Sequence, residues 1–362
     1  MSSVILASLA VAIVGIALAV AEGPGGGPGD YAIELNRGAR RLRVRGGRSL
    51  LASLAREGIL VPSACGGRGA CGYCKVQVTE GGGPLTPSEL ALLTEAERAA
   101  GVRLSCQVRV RSRLAVEVPQ HLFSVQQFVG VVERLRDLTH DIKELRIRLL
   151  RPEAIAFVPG QYVQLAVPAY GSHSRPVYRA YSISSPPSDK GHVELIIRLV
   201  PGGICTTWVF TLLKEGDTVR LNGPYGEFRL AEGDREMVWI AGGSGMAPFW
   251  SMARHMREHG IQRRCTCFFG AVKERDLFFL GEFRELERAM PNLRFVPALS
   301  GAEGDGWAGE KGLITDVVAR HIGDGSDKEG YLCGSSGMID AAVRVLKAKG
   351  ITEDRIFYDK FT

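Results

Sequence analysis

Four cysteines, Cys65, Cys71, Cys74 and Cys106, have the residue type and spacing to bind an iron–sulfur cluster. Three lie in the glycine-rich run 65–74, and the fourth follows after 31 intervening residues. Thiolates bind iron or zinc, and glycine lets backbone N–H groups approach the sulfur atoms closely. Structural zinc sites usually use two short cysteine pairs, and a single triplet is untypical of a disulfide framework. The pattern therefore predicts a cluster, with zinc or disulfides as the alternatives.

A second group of residues has the chemistry to bind a flavin nucleotide. Arg179 could bind a pyrophosphate, Tyr181 could stack on the flavin ring, and Ser182 could offer that ring a small hydrogen-bond donor. About 20 residues downstream, Gly203 precedes Cys205 and Thr206 and would open a helix whose N–H groups face phosphate. Arg-x-Tyr-Ser alone could be an ordinary strand and turn, but the two motifs together predict an FAD site.

A third group of residues has the chemistry to bind a dinucleotide. A glycine-rich turn between a strand and a helix offers backbone N–H groups, although this one does not spell G-x-G-x-x-G and could be only a tight turn. Cys333 and Gly334 follow a later strand, at the sheet edge where ligands bind in open α/β sheets. We predict NADH as the ligand; Lys273 and Arg275 could meet a 2′-phosphate or be surface charges, so NADPH stays open. The residues of the turn are Gly242, Gly243, Gly245, Met246 and Ala247.

The first predicted domain, residues 31–122, must position the cysteines. Alternating apolar residues predict a hairpin over 31–35 and 42–44, and Ser49 can cap a helix that ends at Gly58. Thr86 opens a capping box, which predicts one helix to about Ala100. Strands are predicted over 76–79 and 102–110, and the second would carry Cys106.

Two further domains must position the nucleotide motifs. Regularly spaced strands between 124 and 231 predict a small antiparallel barrel. From 236 to 362 strands alternate with helices, which predicts an α/β domain with a parallel sheet. The predicted barrel strands are 129–135, 142–149, 162–167, 193–199 and 218–221.

The N-terminus is apolar enough for a membrane helix. Residues 4–21 contain one polar side chain, Ser8, and reach about the minimum length of a span. The arginines lie on the C-terminal side, which predicts a single-pass anchor over 1–22 in the inner membrane with the main body in the cytoplasm. Ala19-Val20-Ala21 could instead be a signal-peptidase site. Residues 23–30 would form a linker, and the other four cysteines have no disulfide spacing, as expected in a reducing compartment.

The net charge of +6 is unevenly distributed. Six arginines fall between Arg37 and Arg48 and four between Arg103 and Arg113. No aromatic residues interleave with the first run, so we predict no nucleic-acid binding. The runs form either a solvated face or a docking surface for anionic lipid or an acidic partner.

Taken in order, these motifs resemble the ferredoxin–NADP reductase superfamily. The matching segments are 179–182, 202–206, 223–226, 242–248 and 333–334. The cysteine loop resembles the plant-type [2Fe-2S] loop, with five residues instead of four in its first gap. The whole chain is similar to the family of F subunits of sodium-translocating NADH:quinone reductases, which implies a multidomain protein: transmembrane helix, β-grasp [2Fe-2S] ferredoxin domain, antiparallel FAD barrel and α/β NAD domain.

The resemblance also implies roles. Arg179 and residues 203–206 would hold FAD phosphates, Tyr181 would stack on the flavin, and Ser182 would lie near its N5 atom. Residues 242–247 with Cys333 and Gly334 would bind NADH, and Phe361 would cover the flavin. The implied activity is a membrane-anchored NADH dehydrogenase that passes electrons from NADH through FAD and the cluster to a membrane acceptor such as a quinone. Integral-membrane redox subunits are the implied partners.

Two alternatives stay open. The reductase component of a multicomponent oxygenase (methane, phenol or toluene type) has the same three modules, but generally four residues in the first cysteine gap and no anchor. A membrane electron carrier without NADH activity is favoured only by Ser335-Ser336-Gly337, where the family usually has prolines.

Overall fold

A computed structural model describes residues 29–63, 65–174, 176–301 and 306–361. They form two compact units, residues 29–61 with 67–123 and residues 62–66 with 124–361. The predicted anchor, residues 1–22, lies outside the described residues. Within the described ranges, no helix is both long and apolar enough to cross a membrane.

The first unit is a mixed five-stranded sheet with three short helices. The strand order is β2-β1-β5-β3-β4, with β1 antiparallel to β2 and parallel to β5. Its strands are β1 Asp30–Leu35, β2 Arg40–Arg45, β3 Lys75–Glu80, β4 Val102–Leu104 and β5 Leu114–Glu117. Its helices are α1 Leu50–Arg56, α2 Pro87–Leu92 and α3 Glu95–Ala99. Ser49 caps α1 as predicted, and Ile33, Leu50 and Leu54 of the core are fully buried.

Two predictions for this unit were wrong. The single helix expected from Thr86 to Ala100 is two helices, because Thr94 opens a second capping box with Glu97 and restarts the helix as α3. The strand expected over 102–110 ends at Leu104, because the Leu104 N–H donates to the Glu89 carboxylate and its carbonyl accepts from Gln107 in a turn. Cys106 therefore lies in a turn.

The second unit begins with a six-stranded antiparallel sheet that curls into a barrel. The strand order is β10-β7-β6-β11-β8-β9, and an Ile183–Leu195 bridge joins its two ends. The strands are β6 Gln126–Asp137, β7 Ile142–Arg151, β8 Tyr162–Val167, β9 Val177–Ser182, β10 His192–Arg198 and β11 Thr218–Tyr225. All five predicted barrel strands are present, and β9 is additional. Helix α4, Ile204–Thr211, packs Val209 into the apolar interior.

The rest of the second unit is a parallel sheet flanked by helices, as the alternating pattern predicts. The strand order is β15-β14-β13-β12-β16-β17. The strands are β12 Glu236–Gly242, β13 Cys265–Ala271, β14 Leu293–Leu299, β15 Glu310–Lys311, β16 Lys328–Ser335 and β17 Ile356–Phe361. The helices are α5 Met246–Glu258, α6 Leu280–Ala289, α7 Ile314–His321 and α8 Ser336–Ala348. Cys265 and Cys267 are buried in the core.

Polar contacts and a shared apolar core join the barrel to the nucleotide half within this unit. Arg254 of α5 donates to the Glu194 carboxylate of β10 at 2.8 Å and to the Ser184 carbonyl. The Ser251 hydroxyl donates to the Ser185 carbonyl at 2.6 Å. Ile196 of the barrel belongs to the same buried apolar cluster as the core of the nucleotide half.

Candidate flavin, nucleotide and cluster sites

The predicted flavin motif lies on β9, at an end of the barrel sheet. Tyr181 is partly buried and packs against the barrel core. Burial and the nearby Cys205 thiol raise the pKa of its phenol, so the ring stays neutral. Burial raises the pKa of Cys205 to about 11, which keeps that thiol neutral as well. Arg179 donates to the Tyr178 carbonyl at 2.8 Å and is only partly buried.

The first turn of α4 has the donor chemistry for a phosphate. Its N-cap is Gly203, which contributes no side-chain hydrogen bond to the helix. The Thr206 hydroxyl instead turns back, accepting from the Val200 N–H at 3.1 Å and lying 3.2 Å from the Val200 carbonyl. A Cβ at position 203 would come within 2.6 Å of that hydroxyl, so glycine is needed for the tight turn. The residues at this turn fit a flavin pyrophosphate through backbone N–H groups rather than through Thr206.

Ser182 connects the flavin motif to the last strand of the chain. Its side chain is 5% exposed, and its hydroxyl lies 3.5 Å from the Asp359 carboxylate of β17. Sequence reasoning missed Asp359, although it stands two residues before the predicted Phe361. The contact bridges 177 positions, so nothing local in the sequence indicates it.

The predicted nucleotide residues meet at one edge of the parallel sheet. β12 lies between β13 and β16, so later strands are added first on one side of β12 and then on the other. Ala241 of β12 pairs with Cys333 of β16. Such a switch point leaves a crevice at the carboxyl ends of the strands. A short 3-10 turn, Gly243–Gly245, follows β12, and Gly334 follows Cys333 in β16.

Close backbone approach explains Gly245, and a positive φ explains Gly334. A Cβ at Gly245 would collide with the backbone carbonyl of Cys333, so no other residue fits without moving β16. Gly334 has φ +151° and would bring a Cβ within 2.8 Å of Met338. The turn has no side-chain cap, so its N–H groups suit a nucleotide phosphate.

Cys333 and Phe361 lie at this same edge. Burial and the nearby Asp359 carboxylate raise the pKa of the Cys333 thiol, so it is neutral at physiological pH. β17 runs parallel to β16 with Phe361 opposite Ser335, and Phe361 is 36% exposed. An exposed aromatic ring at the crevice fits a cover over a flat ligand.

The cysteine loop brings thiols together. A hydrogen bond with Cys106, burial and the charges of Cys106 and Cys71 raise the pKa of the Cys74 thiol far above its usual value. Bound iron would stabilise these groups as thiolates. Cys65 is buried in the turn after Ser63. None of the eight cysteines, all of which are described, forms a disulfide, and no three His, Cys, Asp or Glu side chains in the described ranges already have a metal-binding arrangement.

Comparison with known sequences assigns the three parts of the chain. Residues 33–111 match the 2Fe-2S iron-sulfur cluster binding domain, 130–230 the oxidoreductase FAD-binding domain and 239–344 the oxidoreductase NAD-binding domain. The F subunit of the Na(+)-translocating NADH-quinone reductase of Klebsiella pneumoniae is 35% identical over 375 residues, with 92% of each chain covered. The same protein of Neisseria meningitidis is 33% identical with the same coverage. This chain belongs to the family of these F subunits.

Solved structures share the same architecture. The cytochrome P450 reductase GcoB of Amycolatopsis is 32% identical, with TM-score 0.75 over 92% of this chain and 99% of that chain. The ferredoxin reductase in carbazole 1,9a-dioxygenase is 27% identical with TM-score 0.70. As a member of its family, the chain is an NADH-dependent flavin and iron–sulfur oxidoreductase with [2Fe-2S], FAD and NAD(H) as its cofactors.

Proposed function

We propose that this chain is a membrane-anchored NADH dehydrogenase subunit that delivers electrons to a quinone or another acceptor in the membrane. Its relatives are named as components of NADH-quinone reductases, and they match over 92% of their length. The observation that carries the proposal is the Ser182–Asp359 contact at 3.5 Å. It supports a single reaction site, because it brings the flavin motif of the barrel to the sheet edge that holds the nucleotide motif.

Individual roles follow from position. The α4 N-terminus and Arg179 would hold the FAD phosphates, and the Tyr181 ring would support the flavin ring system. Residues 242–247, with Met246 and Ala247 at the start of α5, and Cys333 and Gly334 at the end of β16 would hold NADH. Cys65, Cys71, Cys74 and Cys106 would bind the cluster. When bound, FAD accepts a hydride from NADH and the [2Fe-2S] cluster carries single electrons.

The chain's own groups would orient the reactants. The Ser182 hydroxyl donates to the Asp359 carboxylate at 3.5 Å, a long hydrogen bond that it could exchange for one to the reacting ring. Cys333 is a fully buried, neutral thiol, so it would support the nucleotide site from beneath without adding charge. Phe361 would keep water from the flavin until NADH arrives.

The relatives' names also support a membrane location for this protein. Residues 1–22 would be the anchor, and the arginines that follow favour a cytoplasmic main body. Integral-membrane redox subunits would then be its partners. Gentle detergent purification from native membranes would identify them by the proteins that co-purify.

A cysteine variant separates NADH oxidation from delivery to the membrane. In membranes containing the full chain, Cys71→Ser should keep most NADH–ferricyanide activity, because the dye can be reduced at the flavin, and should lose NADH–quinone activity. Cys267→Ser is the matched control, because Cys267 is buried in β13 among core residues, and it should keep both activities. Equal loss of both activities in Cys71→Ser, or full quinone reduction by it, would contradict the proposal.

A further inference from the structure

The net charge of the protein is concentrated in the first unit. Residues 29–123 contain thirteen arginines and one lysine against eight carboxylates, a formal charge of +6 that equals the charge of the whole chain. The remaining residues have equal numbers of positive and negative side chains. The first unit, which contains three of the four predicted cluster cysteines, is therefore strongly basic, while the nucleotide-binding unit is nearly neutral.

Much of this charge surrounds the point where the linker joins the unit. The Gly46 N–H donates to the carbonyl of Gly29, the first described residue, at 2.8 Å. The next residues pair with a second segment, since the Gly47 N–H donates to Val110 and the Val110 N–H donates to Arg48, both at 2.9 Å. Four exposed arginines flank these contacts and are called here the linker-end arginines: Arg45, Arg48, Arg109 and Arg111.

The linker-end arginines have no acidic partner within the described residues. The nearby carboxylates are already engaged: Asp30 lies 3.5 Å from Arg43, and Glu34 lies 2.8 Å from Arg113 and 3.7 Å from Arg41. The side chains of Arg109 and Arg111 must point outward, because Val108 and Val110, which alternate with them, are buried. The described part of the chain also exposes no large apolar side chain around these arginines, so the surface suits charged head groups rather than insertion into lipid.

We propose that the linker-end arginines dock the first unit onto the anionic head groups of the membrane that holds the anchor. The inference rests on the proposed membrane anchoring. Residues 23–29 can span at most about 25 Å when fully extended, so these arginines are held within a short distance of the bilayer. Cytoplasmic leaflets that contain anionic lipid attract juxtamembrane arginines, and the attraction acts over about 8 Å at physiological ionic strength. An acidic protein is the less favoured partner because the basic surface lies where the linker begins.

Hydrogen exchange on the full-length holoprotein in nanodiscs tests the docking. Peptides covering 45–49 and 109–113 would be compared in phosphatidylglycerol-containing and pure phosphatidylcholine discs. We expect exchange at least about fivefold slower on the anionic discs, roughly the effect of one arginine at such a surface, and loss of the difference at high salt. R45Q/R48Q/R109Q/R111Q should abolish the difference, whereas R257Q/R284Q/R288Q/R294Q, four exposed arginines of the other unit, should keep it.

The possible results separate docking from anchoring. Insertion is scored independently, by co-elution with phosphatidylcholine discs at high salt. Normal insertion without a lipid-dependent difference in exchange would overturn the docking and leave the anchor intact. Failed insertion with slowed exchange on anionic discs at low salt would support the docking and overturn the anchor. Slowed exchange only in the native membrane complex would overturn lipid docking in favour of an acidic protein partner.

Discussion

The reaction site depends on single side chains that come from distant parts of the sequence. Tyr181 lies near Cys205, and Ser182 donates to Asp359, so the two residues of one strand have neighbours 24 and 177 positions away. The chemistry of the Arg-x-Tyr-Ser motif is readable from the sequence. The neighbours of its side chains are not readable, because they depend on the packing of β9 against α4 and β17.

Ser182 and Asp359 should act as a unit in NADH oxidation. Ser182→Ala should slow bleaching of the flavin by NADH roughly 100- to 1,000-fold, as loss of one positioned hydrogen-bonding group does, while FAD content stays normal. If the pair acts as a unit, Ser182→Ala combined with Asp359→Asn should be little slower than the slower single variant. Stopped-flow absorbance measures the rates, and Ser188→Ala, an exposed hydroxyl of the same barrel, is the control. Additive losses would show that the two residues act separately.

At the scale of elements, the sequence predicts which helices and strands form better than it predicts where each one ends. The barrel strands and the alternation of strands and helices follow from apolar periodicity, which is set by neighbouring residues. The break between α2 and α3 has a local signal in Thr94 and Glu97 that sequence reasoning overlooked. The end of β4 has no such signal, because Glu89 captures the Leu104 N–H from 15 positions away.

Glu89 and Arg103 form a buried ion pair that ties α2 to β4. The carboxylate is 0% exposed and accepts from the Arg103 guanidinium at 2.8 and 2.9 Å, and Arg103 also donates to the carbonyls of Gly82, Gly83 and Pro84. Burial alone would raise the pKa of Glu89, but these hydrogen bonds and those from backbone N–H groups outweigh it and hold the pKa below 4.5. Glu89 and Arg103 are therefore both charged, and their ion pair fixes the loop before α2.

Removing the Glu89 charge should destabilise the first unit strongly. Glu89→Gln leaves Arg103 buried without its counter-ion and should cost about 3–5 kcal/mol of unfolding free energy at pH 7. Glu97→Gln is the matched control: Glu97 occupies the same capping-box position but pairs with the partly exposed Lys75, and its loss should cost about 1 kcal/mol or less. Urea denaturation followed by cluster absorbance measures both.

The pH dependence gives that experiment a second check. The pKa of Glu89 is lowered on folding, so its carboxylate contributes stability above its unfolded pKa and loses that contribution as the pH falls through the folded value. The difference between wild type and Glu89→Gln should therefore be constant from pH 7 to about pH 5 and shrink below about pH 4.5. A difference that grew on acidification would mean that Glu89 is not ionised in the folded protein.

At the scale of the whole molecule, hydride transfer requires the barrel and the nucleotide half to hold a fixed relation within the second unit. Arg254 is the charged side chain that spans them most directly. Arg254 donates to Glu194, which also accepts from Arg146 at 2.6 Å. The Arg254 guanidinium lies 4.7 Å from the centre of the Trp250 ring. Burial acts to raise the pKa of Glu194, but Arg254 and Arg146 hold it below its usual value.

Arg254→Met should loosen this connection without removing the apolar packing around it. The stem of the side chain is kept, but Glu194, 5% exposed, loses one of its cations. The unfolding free energy of the second unit should fall by about 2–4 kcal/mol, somewhat less than for a fully buried pair because Arg254 is 22% exposed. Flavin reduction by NADH should slow as well, because misplacement of the two halves by even about 1 Å is costly to a reaction that needs aligned rings.

Arg320→Met, which breaks an exposed pair with Glu310 at 2.9 Å, should change stability by less than about 1 kcal/mol and leave the rate unchanged. If the two variants behaved alike in denaturation and stopped-flow measurements, the apolar core alone would be holding the halves together, and Arg254 would be an ordinary surface charge.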